Sequence, residues 1–533
     1  RPLRPLRRSV ALSAVALPLL LGLTGCQTYT AKTQSRDEAL RSGNIAAAVA
    51  EAQRDAEKKT GTKDGLLFRL EQATLLRAAA LANLPAPAGP APALAAQTQT
   101  TQALQAAAPE DISARIAWLT RSIAAFDDAA RRVDDFDAAA KVSVGAEAGA
   151  LFTNQAALPY RGRAYDRVML HTYQALNYLQ LADADAARVE LNRALQRQRE
   201  AVEANAKRIE EARRLAEESR AGRVTDEQGR SGSAYDVDGA KADARTSAGI
   251  ARIEEKIDAA ILPYGDYVNP FTTFLDALVF THQGTDGADL ERARKSWERV
   301  LNFAPNNPYV REDYTAVEPD VSRPLTDAPA DPVAAGLTYV VFETGSAPYR
   351  EQIRIDLPLF LVTDGISYVG MALPELAFVG GHASTLEVAT SDGARHRSSL
   401  LGSMDSVVAQ DFKNEWPSIL TRTIISTGTK ATIDAVLQKQ IQDQSGATGA
   451  LLFKLATAVT QAAVNIADTR TWRSLPKEFH YARLPTPADR QLTLSAGGLA
   501  QTVLLEPASV QVVYVKSPGA FAPLLIGQFV LKK

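Results

Sequence analysis

Five histidines (His171, His282, His382, His396 and His480) and one cysteine (Cys26) are the side chains of this 533-residue chain best suited to metal binding or nucleophilic attack. No two of the histidines are separated by three or four residues, so no pair shares a helix face as metal ligands, and no HExxH run occurs. A single cysteine excludes an intramolecular disulfide and a cysteine-rich zinc site. No GxSxG elbow supports a serine hydrolase. The stretch STGTKAT at 426–432 lacks the first glycine and the adjacent Gly-Lys-Ser/Thr that wrap backbone amides around phosphate. The expectation is a protein that is not an enzyme and holds no metal or cofactor.

Two shorter constellations set charge beside aromatic rings. In ADTRTW, Asp468 and Arg470 are spaced to pair and Trp472 is placed to plug the exit of a helix. In PYRGRAYDRV, Tyr160, Arg161 and Tyr165 surround Arg163 and form a candidate recognition lip. Each reads either as an interaction site or as a packed turn. Packing is favoured for both, because a buried aromatic contributes mainly through the area it removes from water.

Cys26 takes its meaning from what precedes it. Arg1, Arg4, Arg7 and Arg8 are followed by an apolar run from Val10 to Leu23 and then by Thr24 and Gly25, the order of a secretory signal. The run falls short of the roughly 20 residues that span a bilayer, and Pro18 interrupts it. Leu23-Thr24-Gly25-Cys26 resembles the lipobox of bacterial lipoproteins, in which the cysteine becomes the first mature residue and carries lipid. The resemblance implies a signal peptide over 1–25 and membrane lipid as a partner through acylated Cys26. Gln27, in place of an aspartate, implies outer-membrane sorting with the body facing the periplasm. With a first helix expected from Gln34, residues 26–33 form a tether of at most about 28 Å.

The net charge is -2, with acidic and basic residues interspersed, which argues against nucleic-acid binding. Residues 34–313 are rich in good helix formers, residues 336–533 in strand formers, and the proline-bearing stretch 314–335 reads as a linker. Within the first region, 84–111 and 219–247 lack apolar periodicity and are expected to be flexible loops.

Ala175, Tyr178, Ala187, Leu191 and Ala194 stand at the small, aromatic, small, large and small positions of a tetratricopeptide repeat, where small residues receive large ones from the neighbouring helix. His171 and Gln174 depart from that pattern, which usually has a large aromatic and a leucine there. Ala293, Trp297 and Pro305 mark a second copy. Val202, Ile209 and Leu215, with Ile253 and Ile257, suggest a protruding helical hairpin with a narrow apolar seam. The helical region is thus read as an irregular tetratricopeptide-like α-solenoid. The C-terminal region is read as a mixed domain: two packed helices, from Asp405 and from Gly449, and an antiparallel sheet covered on one face. The whole is α+β and multidomain.

The segments PYRGRAYDRVMLHTYQALNYL, YGDYVNPFTTFL, ISYVGMALPEL and ADTRTWRSLPKEFHYARLP are similar to those of a family of largely uncharacterised bacterial lipoproteins with a tetratricopeptide-like region followed by a mixed C-terminal domain. That resemblance carries no catalytic residue. It implies a membrane-anchored periplasmic scaffold that binds a protein partner of the cell envelope, with the cell-wall synthesis machinery among the partners to consider. The alternatives are a ligand-binding or enzymatic C-terminal domain and a structural subunit of an envelope or export assembly.

Overall fold

The computed structural model describes residues 29–90, 92, 110–142, 155–224, 234–318, 336–360, 368–431, 433 and 466–533. Among them, α1 (Tyr29–Arg41), α2 (Ile45–Lys59), α3 (Gly65–Leu81), α4 (Glu110–Val142), α5 (Ala164–Gln180) and α6 (Ala184–Arg220) come first. They are followed by α7 (Val237–Ala242), α8 (Ala244–Asp258), α9 (Pro270–Gln283), α10 (Gly287–Phe303) and α11 (Pro308–Val317). Side chains that accept orphan amide hydrogens set several starts: Asn44 for α2, Asp183 for α6, and Asn269 and Asn307 for α9 and α11, each with proline at the next position. Helix α10 stops at Phe303, shortly before Pro305, whose ring cannot continue a helix.

Three strand groups follow. Strands β1 (Leu337–Thr344), β6 (Ser399–Ser403), β7 (Glu478–Pro485), β10 (Val510–Ser517) and β11 (Leu525–Lys532) form a five-stranded sheet in the order β11-β10-β1-β7-β6. Strands β2 (Tyr349–Pro358) and β3 (Tyr368–Ala377) pair alone as a hairpin. Strands β4 (Glu387–Thr390), β5 (Arg395–Arg397), β8 (Gln491–Ala496) and β9 (Leu499–Leu504) form a four-stranded antiparallel sheet. A helix, α12, occupies 404–431. The fold is α+β.

The layers follow from alternation along β1. Tyr339 and Val341 join the cluster of buried residues that also contains the helices, whereas Val340 and Phe342 join a second cluster with Val388, Leu492 and Leu494 of the four-stranded sheet. The five-stranded sheet is therefore sandwiched between helices and a second sheet. Helices α3, α5 and α9 lie across β11, and α9 also meets β6. Gly527 and Gly402 permit this approach: a Cβ at either would stand 2.6 Å from Leu81 or 2.9 Å from Pro270. Helix α9 is buried on all sides from Pro270 to Phe280, with Phe271 stacked on Phe479 at 3.8 Å and Phe274 set against Tyr481 at 4.7 Å.

Several expectations need correction. The sheet is mixed, because β1 and β10 run parallel, and both its faces are covered. The cause is visible in those strands, which are buried along their whole length and carry near-continuous apolar runs. Helices α3, α5 and α9 use one side to cover β11, so that side of them is not open. The protruding hairpin is absent: α8 packs on the β2–β3 hairpin, where Thr246 Oγ1 donates to the Asp356 carbonyl at 2.7 Å and Gly249 closes on Ile355. Its Ile250, Ile253 and Ile257 are buried, while Val202 on α6 is 52% exposed. Within 219–247, expected as a loop, the structure has α7 and a fully buried Tyr235 whose hydroxyl donates to the Pro358 carbonyl at 2.6 Å. Val224, Val237 and Ala240 are buried with it, so a few apolar side chains dock an otherwise polar stretch. The chain is already helical at Tyr29, ahead of the expected start at Gln34, and Tyr29 packs against Phe68. Helix α11 runs to Val317, into the expected linker, with Tyr314 and Val317 against the core. The signal segment with Cys26, most of 84–111 and most of the helix expected from Gly449 lie outside the described residues. Among the described residues no helix is long and apolar enough to cross a membrane.

Candidate functional site

The two charged and aromatic segments singled out in the sequence meet at the seam between the helices and the C-terminal strands. Arg470 donates to Asp468 at 2.8 and 2.9 Å, to Asp64 at 3.0 Å and to the Leu158 carbonyl at 2.7 Å, with its guanidinium over the Tyr160 ring. Tyr160 donates its hydroxyl to Asp166, which also accepts the Arg163 amide at 2.9 Å and so closes the first turn of α5. Arg163, Arg208 and Arg350 all donate to Glu415 on α12, at 2.8, 2.9 and 2.7 Å. Trp472 is fully buried between Phe126 and Tyr173, and its indole nitrogen donates to Ser474 at 2.9 Å.

This seam is a closed internal network. Tyr160, Tyr165, Arg470 and Trp472 are buried, Asp468 is half-buried, and only Arg161 of the six sequence candidates is exposed. The electrostatics are those of a crowded interior. Burial pushes Glu415 up, but the guanidiniums of Arg163, Arg350 and Arg208 overcome it and hold the carboxyl well below its usual range. Asp411, one turn earlier, is raised to about 7 by burial and by the charge of Glu415. Burial likewise raises Asp166 to about 6. Such a network specifies how two regions dock; a partner reaches it only if they separate.

An open site lies elsewhere, between α4, α5 and α6. A groove of about 640 Å³ has Asp127 and Ala130 on α4, His171 and Tyr178 on α5, and Val189 and Glu190 on α6 among its lining. Asp127 and Ala130 stand one turn apart and His171 and Tyr178 two turns apart, so each of these pairs lies along one helix face. His171 Nδ1 is 2.7 Å from Glu190 Oε2, and Arg193 donates to Glu190 Oε1 at 2.6 Å. Gln174, just beneath, donates to Asp127 at 2.6 Å. Burial raises the Asp127 carboxyl, and the charge of Glu190 adds to it against the hydrogen bond from Gln174.

The repeat-packing residues Ala175, Tyr178, Ala187, Leu191, Ala194, Ala293 and Trp297 are all buried, as close helix packing requires, and Pro305 is exposed beyond α10. The groove residues themselves were not grouped by the sequence reading. Their signal was there: His171 and Gln174, the two departures from the repeat pattern, are the residues that face Glu190 and Asp127. The other histidines are dispersed, His282 against Tyr339, His382 and His480 against Glu478, and His396 on β5. Among the described residues no cluster of three or more His, Cys, Asp or Glu forms that would hold a metal ion. Comparisons with protein families, with curated proteins and with solved structures returned no match.

Proposed function

We propose that this chain is a bacterial envelope lipoprotein, held at the outer membrane through acylated Cys26 and facing the periplasm, that acts as a protein-binding scaffold. Its helices are read as degenerate tetratricopeptide-like hairpins, of which α3, α5 and α9 use one side to cover β11, so the partner is received on the open groove between α4, α5 and α6. The observation that carries this reading is that groove: about 640 Å³, open, with alanine and valine walls and side chains already oriented by ion pairs. Preorganised side chains lose little freedom on binding, which favours recognition of a surface over chemistry. With the chain helical and packed by Tyr29, three positions after Cys26, the body would lie near the membrane.

A photo-crosslinking amino acid at Val189, which is 47% exposed on the groove wall, tests this in cells. The expected result is one discrete envelope protein crosslinked in the anchored form and lost in a Cys26→Ser form exported by an ordinary signal. Absence of any crosslinked protein from the anchored form would overturn the reading.

A further inference from the structure

The edges of the two larger sheets are protected unequally. An edge strand presents a row of unpaired amides and carbonyls, and short length, charged side chains or covering groups normally stop it from pairing with another chain. Strand β5, at one edge of the four-stranded sheet, has three residues, two of them arginines. On β6, at one edge of the five-stranded sheet, the carbonyls of Ser399 and Leu400 accept from Asn307 at 3.2 and 3.0 Å. Strand β9, at the other edge of the four-stranded sheet, has neither device: LAQTVL is six residues long and carries no charge and no proline.

The register shows which backbone groups of β9 point outward. The Leu505 amide donates to the Arg490 carbonyl at 2.7 Å, and the pairing of β8 with β9 continues from there. Hydrogen-bonded residues alternate along an antiparallel ladder, so Val503, Gln501 and Leu499 bond to β8, whereas Ala500, Thr502 and Leu504 direct their amides and carbonyls away from the sheet. Of these, the Leu504 carbonyl accepts from Gln528 at 3.0 Å and keeps its second lone pair.

Apolar side chains gather at the same edge. Phe521, 88% exposed, and Leu504, 60% exposed, are the two most exposed large apolar side chains among the described residues. They stand at opposite ends of β9. Leu504 closes the strand, and the turn at Gly497 and Gly498 that opens it lies against the loop of Phe521, where a Cβ at Gly497 would be 1.9 Å from the Ala520 carbonyl oxygen.

We propose that β9 pairs with β9 of a second copy of this chain, antiparallel about a two-fold axis at Thr502, joining two four-stranded sheets into one. The strand is self-complementary. Its outward residues Ala500, Thr502 and Leu504 are centred on Thr502, so an axis there matches every outward amide with a carbonyl and keeps the core-facing sides of both sheets together. Thr502 then faces Thr502, a favourable cross-strand pair, and Ala500 faces Leu504 of the second copy; no charge meets its like. A second copy is favoured over an unrelated strand because this one register satisfies both open edges and covers Leu504 twice. Six paired residues make a small interface, so the dimer is a weak one. The inference is independent of the scaffold reading, whose groove lies on other elements.

Thr502→Cys in a Cys26→Ser background makes residue 502 the sole thiol. Facing residues of a hydrogen-bonded pair have Cα atoms about 5.5 Å apart, within disulfide reach. Thr493, opposite Thr502 on β8, would stand about 14 Å from its counterpart, three strand spacings away, so Thr493→Cys is the control. The expected result under mild oxidation is a disulfide-linked dimer from Thr502→Cys and at least about tenfold less from Thr493→Cys. Sedimentation equilibrium of the Cys26→Ser chain should show a monomer–dimer equilibrium with a dissociation constant below about 100 μM. Thr502→Lys sets like charges face to face and should weaken it at least about tenfold while unfolding at the wild-type temperature. Thr502→Pro, which deletes an outward amide, is a second variant with the same expectation. A chain that stays monomeric to about 100 μM, equal crosslinking of the two thiols, or a dimer unchanged by both substitutions would each overturn the proposal. A photo-crosslinking residue at Leu504 that captures a different protein in cells and never a second copy would overturn the assignment to a second copy.

Discussion

His171 on α5 and Glu190 on α6 are joined by a 2.7 Å contact between Nδ1 and Oε2, both side chains almost fully buried. The pair links two buried polar side chains 19 residues apart, so each accounts for the other's place in the interior.

If that pairing is specific, His171→Phe strands a buried carboxylate oxygen, at a cost of about 1–3 kcal/mol. Adding Glu190→Leu removes the orphan and should recover much of the loss. Urea unfolding of the two single variants and the double variant gives the coupling, expected at about 0.5–3 kcal/mol. Strict additivity would show that the pair is incidental.

Glu415 accepts from three arginines that come from α5's cap, α6 and β2. Glu415→Gln removes the shared counter-charge of the buried Arg163 and Arg350 and the half-buried Arg208, and should destabilise the fold by about 3–5 kcal/mol. Chemical denaturation measures it directly.

Asp411 supplies a pH signature. Its folded pKa of about 7 lies above that of an unfolded aspartate, about 3.9, so the folded state holds the extra proton between those values. Its contribution to stability is fully present below the lower value and is lost as pH rises towards the upper one. Asp411→Asn should remove this part of the slope, gaining on the wild type by up to about 1.4 kcal/mol per pH unit across that window, while Asp166 and Asp313, raised by burial to about 6 and about 7, keep theirs. Glu415, held low, titrates in the opposite sense, up to the unfolded glutamate value of about 4.3, so it opposes the slope only at the acid end of that window. Denaturation midpoints of both proteins from acid to neutral pH check the sign.

Trp472 fills the space between Phe126 and Tyr173 where the C-terminal strand enters the seam. Trp472→Ala should cost about 3–5 kcal/mol through the cavity it opens, read by thermal unfolding together with loss of near-ultraviolet circular dichroism. A stability within about 0.5 kcal/mol of wild type would mean that the seam does not depend on this ring.

Helices and strands could be read directly from the sequence wherever the pattern was local. The apolar steps of three and four residues in α5 and α10, the stop at Pro305, and the runs that became β1, β8, β10 and β11 all depend on neighbours a few residues away, and the chain states them outright. The Asp468 and Arg470 pair, two residues apart, was legible for the same reason. Pairing over long range was not. Nothing in LTYVVFET or VQVVYVKS says that they lie side by side in parallel, because register is decided by which faces remain to be buried once the helices have packed. Nor does a histidine on one helix announce a glutamate on the next, or Arg470 announce Asp64 some 406 residues away. Those contacts are properties of the tertiary structure: an ionisable side chain in the interior requires a partner wherever the fold can supply one, and only the assembled layers of helix, sheet and sheet decide where that is.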